Sequence, residues 1–274
     1  MNGDAYSVAL DLMGMYVHGA PARLEELRPQ LRLAATNLAK RPKRRGSQMD
    51  EHHFGVMVGW LLKKGRDDPD ARAVAAALAR YAADDPDGNA RGLIKPLLPM
   101  MLSVFAPIVW PPFGQAIVQD RTKAWRIEHL LGDSFSFADK KTPPILSVPD
   151  DILFAWAHAH PDVGPAFLAT VLPVLTSQRP EAAGSQFHPL MMRILNEFGD
   201  RDDVRRALVQ NMHTFGWTGS LTTYYALYEH PLQSLLEHRL GPVRRWASVM
   251  LTQMRQQIDL AKMRDDEQTA HWEA

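Results

Sequence analysis

Apolar residues return along most of this chain with the period of an α-helix. In the last long segment Val243, Trp246, Ala247, Met250, Leu251, Met254, Ile258 and Ala261 recur at i, i+3, i+4 and i+7, which is one helix face. The opening segment repeats the pattern with Tyr6, Ala9, Leu10, Met13 and Val17. Leu24, Leu27, Leu31, Ala34 and Leu38 form a further stripe. There Pro21 is placed for a helix start and Pro29 for a kink. Asp50 is positioned to cap a helix that runs to about Lys64 and stops at Gly65. Pro69 and Asp70 open another, with Val74, Leu78 and Tyr81 inward. Period-2 runs bounded by hairpin turns do not occur, and apolar pieces such as Ile145-Leu146-Ser147-Val148 are isolated. The pattern predicts an all-α fold.

One stretch tests that reading against a membrane. Between Lys95 and Asp120 lie 24 uncharged residues, long enough for a transmembrane helix. Pro96, Pro99, Pro107, Pro111 and Pro112 sit inside it. A proline removes a donor and clashes with the preceding turn. The expectation is two short buried helices around a Trp110-Pro111-Pro112 turn, no membrane span, and an irregular, proline-rich centre to the fold.

Pro, Gly and Asp mark loops at Lys40–Gln48, Asp84–Asn89, Gly132–Pro149, Gln178–Ser185 and Phe215–Ser220. The 132–149 loop is long for a compact domain. It divides an N-terminal helical region, 1–131, from a C-terminal region, 150–274, unless the two form one continuous domain.

Internal repetition is the most informative feature. His188-Pro189-Leu190 returns as His230-Pro231-Leu232, 42 residues later. Val204-Arg205-Arg206 returns as Val243-Arg244-Arg245, 39 residues later. His160-Pro161-Asp162-Val163 is a weaker third copy, and Asp70-Ala71-Arg72 an N-terminal echo. A unit of about 40 residues holding two helices has the size of a HEAT-type repeat, and the chain resembles that family. The second helix of such a repeat begins with Asp, a small aliphatic residue and Arg. Asp203-Val204-Arg205 matches, Pro242-Val243-Arg244 substitutes Pro for Asp, and Asp162-Val163-Gly164 lacks the Arg. The resemblance covers roughly residues 150–264, and 50–85 faintly; 90–148 departs from it. It implies a HEAT-like α-α superhelix closed by the polar tail from Asp265 to Ala274.

The run Phe215–Ser220, the cluster Tyr224-Tyr225-Ala226-Leu227-Tyr228 and the Val-Arg-Arg-Trp-Ala helix also resemble C-terminal helical modules of large bacterial anti-phage or conflict proteins. That likeness implies a sensor or adaptor in bacterial defence.

Composition adds limits. The chain has 274 residues, 46% of them apolar and 23% charged, an ordinary globular balance. Lys+Arg and Asp+Glu are equal at 31, so net charge points to neither nucleic acid nor membrane. With no cysteine, disulfides, thiolate metal ligands and a thiol nucleophile are excluded. The N-terminal segment has no basic n-region and carries two Asp, unlike a signal peptide. A cytoplasmic location is expected.

Motifs for chemistry are sparse. The 11 histidines offer no i, i+4 metal pair and no His-Glu-x-x-His. His52 and His53 diverge by about 100° on a helix, His158 and His160 point nearly oppositely, and the His-Pro pairs read as helix punctuation. Phosphate loops and a nucleophile elbow are missing. Asp150-Asp151 and Asp202-Asp203 suit helix N-termini. Neither a metal nor a cofactor is expected.

Three groups remain as candidate binding residues. Lys40, Arg41, Lys43, Arg44 and Arg45 place five cations in six residues beside a Gly-Ser loop, a density suited to phosphates or a solvated face. Arg205, Arg206, Arg244 and Arg245 recur at one repeat position. They either support the inter-repeat turn or line a ridge that reads acidic partners. Trp217, Tyr224 and Tyr228 are either core or a recognition patch. Together these features predict a non-catalytic helical-repeat interaction module, a scaffold, adaptor or sensor that binds another protein. The alternatives are a nucleic-acid-binding repeat protein using residues 40–45, and a metal-dependent enzyme with a site assembled from distant His, Asp and Glu.

Overall fold

The computed structural model describes residues 3–18, 20–38, 48–85, 93–132, 142–176, 185–213 and 221–273. Among them the chain is all-helical. The one extended pairing described is an isolated antiparallel bridge between Leu175 and Phe187. The chain divides into two compact units, Met1–Gly132 with Thr142–His160, and Asp133–Lys141 with Pro161–Ala274.

The first unit contains α1 (Gly3–Val17), α2 (Arg28–Asn37), α3 (Gln48–Leu62), α4 (Pro69–Asp84), α5 (Leu98–Val104), α6 (Ala106–Gln119), α7 (Arg121–Leu131) and α8 (Asp150–Ala159). Helices pack on next-but-one neighbours, α1 on α3, α2 on α4 and α4 on α6, as well as on adjacent ones. The inward stripes supply the core. Leu31, Phe54, Leu61, Val74, Leu78 and Phe113 are fully buried, each contributing about 1.5–3 kcal/mol relative to exposure. The sequence pattern starts the C-terminal region at 150, but the helix there, α8, packs on α6 of this unit.

Local chemistry explains the helix ends. Asp68 caps α4 by accepting the Asp70 and Ala71 N–H groups, both at 3.0 Å. Gly65, at φ +91°, follows the end of α3 in the left-handed region that glycine tolerates. Pro29 does not kink a helix. It lies in the first turn of α2, where its missing N–H costs nothing, and Pro21 begins a separate 3-10 turn, Pro21–Leu24.

The proline-rich centre is helical, and its break is not where the prolines 111 and 112 place it. The chain bends by 113° at Phe105, between α5 and α6. Pro107 offers no N–H to the Ser103 carbonyl, so α5 ends. Its fixed φ suits the first turn of α6. Pro111 and Pro112 lie inside α6. The carbonyls they leave without a donor belong to exposed Pro107 and half-buried Ile108, on the outer side of the helix. On its inner side Trp110 meets Trp156 of α8 edge to face at 5.4 Å. Gly114 permits that approach, since a Cβ there would lie 2.5 Å from the Trp156 Nε1. Among the described residues no single helix is long and apolar enough to cross a membrane, and α5 with α6 would have to do so as a bent pair.

The second unit contains α9 (Gly164–Val171), α10 (Pro189–Phe198), α11 (Asp202–His213), α12 (Leu221–Ser234) and α13 (Gly241–Glu273). Helix α9 packs on α10 and on next-but-one α11, while α12 and α13 form a hairpin. Val204, Leu208, Leu232, Val243, Ala247 and Met254 form part of its core. The two His-Pro-Leu copies are not equivalent. His188 is the N-cap of α10, its Nδ1 accepting the Leu190 N–H, whereas Pro231 lies inside α12.

Several polar contacts between elements share a spacing in both units, beside others at different intervals such as Arg255 with Glu229 and the Tyr224 hydroxyl with the Met212 carbonyl. In the first, Arg28 meets Asp68 and Asp70, Lys64 meets Glu25, Lys123 meets Asp84 and His53 faces Asp11, at separations of 39 to 42. In the second, Asn211 donates to the Ala169 and Leu172 carbonyls, and Asn196 receives His238 and Arg239, at separations of 39 to 43.

Candidate interaction surfaces

The repeated Val-Arg-Arg positions have matching geometry. Val204 and Val243 each open a helix and are fully buried. The arginine after each folds back across the preceding turn. Arg205 Nη1 donates to the Gly199 carbonyl at 2.6 Å, and Arg244 Nη1 to the His238 carbonyl at 2.7 Å, both six residues upstream. A guanidinium bound to the last carbonyls of a turn satisfies acceptors that the helix leaves open. Arg205 also pairs with Asp202, while Arg244 reaches the Arg239 carbonyl at 3.1 Å. Beside them, Arg201 binds Asp203 through two hydrogen bonds and holds that carboxyl below its usual range. Arg206 and Arg245 are exposed, with no polar partner among the described residues. Gly199 lies where the turns close, since a Cβ there would meet the Val243 Cγ2 at 2.6 Å.

Tyr224 and Tyr228 are packing residues. They are 6% and 2% exposed, which removes them from any contact surface. The Tyr224 hydroxyl donates to the Met212 carbonyl and lies 3.5 Å from the Tyr228 hydroxyl. Burial raises the pKa of both phenols, that of Tyr228 most. Half-buried Tyr225 borders an open cleft of about 460 Å³ with His213, Met250, Gln253 and Met254. Trp217 and the cations Lys40, Arg41, Lys43, Arg44 and Arg45 lie outside the described residues.

The ring nitrogens of His188 and His238 serve structural roles. His238 Nδ1 accepts the Leu240 N–H at 3.2 Å and its Nε2 meets the Asn196 Oδ1 at 3.0 Å. That pairing calls for the neutral ring with its proton on Nε2. Burial, then the charges of Arg239 and Arg244, hold the His238 pKa below 6.5. Among the described residues no cluster of three or more His, Asp or Glu is arranged to hold a metal.

Sequence periodicity missed an outer face on α1. Leu10 is buried and Met13 and Val17 are half-buried, as the stripe predicts, but Ala9 is exposed. Val8, Leu12, Met15 and Tyr16 form a second apolar stripe, 42–63% exposed. The signal was present in the sequence: an α1 that is apolar nearly all round has more apolar surface than one contact can cover. Trp125 on α7 is also outward, 55% exposed, with its ring 4.3 Å from that of His129.

No family model, curated protein or solved structure matches this chain.

Proposed function

We propose that the chain is a HEAT-like helical-repeat module whose work is to bind another protein. The observation that carries the reading is the spacing of its polar contacts. Within each unit, several links at 39 to 43 residues tie one helical segment to another about one repeat length away, which supports this reading. Next-but-one helix packing and the matched Arg205 and Arg244 turns support the same repeat. A repeat of this length buries its apolar face only by stacking, and it leaves long outer surfaces for partners.

The α1 stripe is the surface we assign to the partner. Contiguous exposed apolar side chains on a helix face fit a groove or a second helix of another protein. Resemblance of residues 215–228 to modules of bacterial anti-phage proteins makes a defence component the first partner to test. A photo-crosslinking residue at Val8, Leu12 or Met15, in the native host, should capture one discrete protein. The same probe at exposed Arg32 or Thr36 on α2 should not. Equal, scattered adducts from both helices, or adducts to nucleic acid alone, would overturn the reading.

A further inference from the structure

The outer face of α13 carries a pattern that its inner face does not explain. Val243, Ala247, Met250, Met254 and Ile258 are buried within the chain. On another face, Val249, Gln253, Gln256, Leu260 and Met263 are all exposed, with Val249, Leu260 and Met263 at 56%, 49% and 61%. Their spacing alternates four, three, four, three, the a and d seam of a heptad. In this register Gln253 and Leu260 are a positions, and Val249, Gln256 and Met263 are d positions. Asp259 then falls at g and Arg264 at the following e.

Both charges are exposed and have no ion-pair partner among the described residues. In a parallel two-stranded coil, g of one helix faces the next e of the other. Two copies of α13 would therefore pair Asp259 with Arg264 twice, once on each side of the seam. The e positions earlier in the helix, Val243 and Met250, are buried, whereas Gln257 and Arg264 are exposed. Val249 thus sits at the closed end of the seam, which is open on its e side from about Gln253 onward. Helix α13 has 33 residues and its hairpin partner α12 has 14, so the later turns extend well beyond the length of α12.

We propose that this face is a homodimerisation surface, in which α13 of two copies forms a short parallel coiled coil over Val249–Arg264. Isolated helices of this length are marginal in water, but here the hairpin already orders the helix. Gln253 and Gln256 replace apolar residues in the seam at a cost in affinity, so association is weak and concentration-dependent. The inference does not depend on the α1 surface.

Sedimentation equilibrium of the whole chain, up to tens of micromolar, should show a monomer–dimer equilibrium. Leu260→Glu with Met263→Glu should abolish it while the helical circular dichroism is kept. Asp259→Arg alone should raise the dimer dissociation constant by about tenfold, from two lost pairs and new repulsion. Adding Arg264→Asp should restore it, because the charges are then exchanged across the same seam. A monomer at every concentration would overturn the proposal. So would a dimer indifferent to the Leu260 and Met263 changes, or one that the double charge exchange fails to rescue. Binding of the wild-type chain to lipid vesicles, lost in the Leu260 and Met263 variant, with no dimer in solution, would assign the face to a membrane instead.

Discussion

The two units span the same interval of chain with different chemistry. In the first, Arg28 bridges to Asp68 and Asp70, Lys64 to Glu25 and Lys123 to Asp84, all pairs of opposite charge. In the second, Asn211 donates to two backbone carbonyls, and Asn196 receives the His238 ring and the Arg239 guanidinium. Charged pairs at a partly exposed surface lose strength to salt and to side-chain entropy. Amide–carbonyl bonds that close helix ends carry no net charge and respond little to salt, but their loss leaves acceptors without donors. The comparison teaches that the same chain interval can be bridged by a screenable charged clasp or by part-buried contacts built on an asparagine amide. The second kind is the more sensitive to mutation.

Asn211→Leu should therefore have the largest effect. It removes the donor to the Ala169 and Leu172 carbonyls, and the cost should be about 1–3 kcal/mol in urea unfolding, little changed by salt. Asp68→Ala should cost about 1–2 kcal/mol, mostly from the lost α4 cap. Only its smaller ion-pair part should fade as NaCl is raised toward 1 M, on the order of a Debye length of 3 Å. If Asn211→Leu proved the more salt-sensitive of the two, the contrast between the units would fail.

The smallest effect is a pH dependence confined to the second unit. Burial and two arginines lower the His238 pKa below its ordinary 6.5, so the neutral ring is favoured in the fold. The unfolded chain then binds the proton more readily, and stability falls as pH drops through 6.5 and toward the lower folded value. His238→Gln, with an amide in place of the ring, should flatten the melting temperature between neutral and mildly acidic pH. An unchanged slope would remove His238 as its source.

Much of the helical layout is legible in the sequence. The α13 stripe from Val243 to Ala261 is inward as its period requires, with only Trp246 half-buried. The Val204 and Val243 repeat also keeps its meaning, since both residues open helices and both following arginines close turns. Prolines were less readable. Their effect depends on which carbonyl loses its donor and whether water can reach it, as at Pro111, and on how far they lie from a helix start, as at Pro29. The His-Pro-Leu copies mislead for the same reason. One proline begins α10 and the other sits within α12. For the candidate surfaces, composition could not separate buried Tyr224 and Tyr228 from exposed Val8 and Leu12. Burial of an aromatic or aliphatic residue is decided by tertiary neighbours, which periodicity assigns only when a helix has one apolar face.

The repeat spacing itself can be tested without background, because the chain contains no cysteine. Paired cysteines at Arg28 and Asp70, and separately at Asn196 and His238, probe one repeat step in each unit. A short bismaleimide should link each pair rapidly in the folded chain and slowly after unfolding in urea. It should link control pairs, such as Arg28 with Arg80, poorly in both states. Efficient linking of both repeat pairs is the result a stacked unit of this length predicts. Failure of either pair in the folded chain, or linking no faster than the controls, would contradict it.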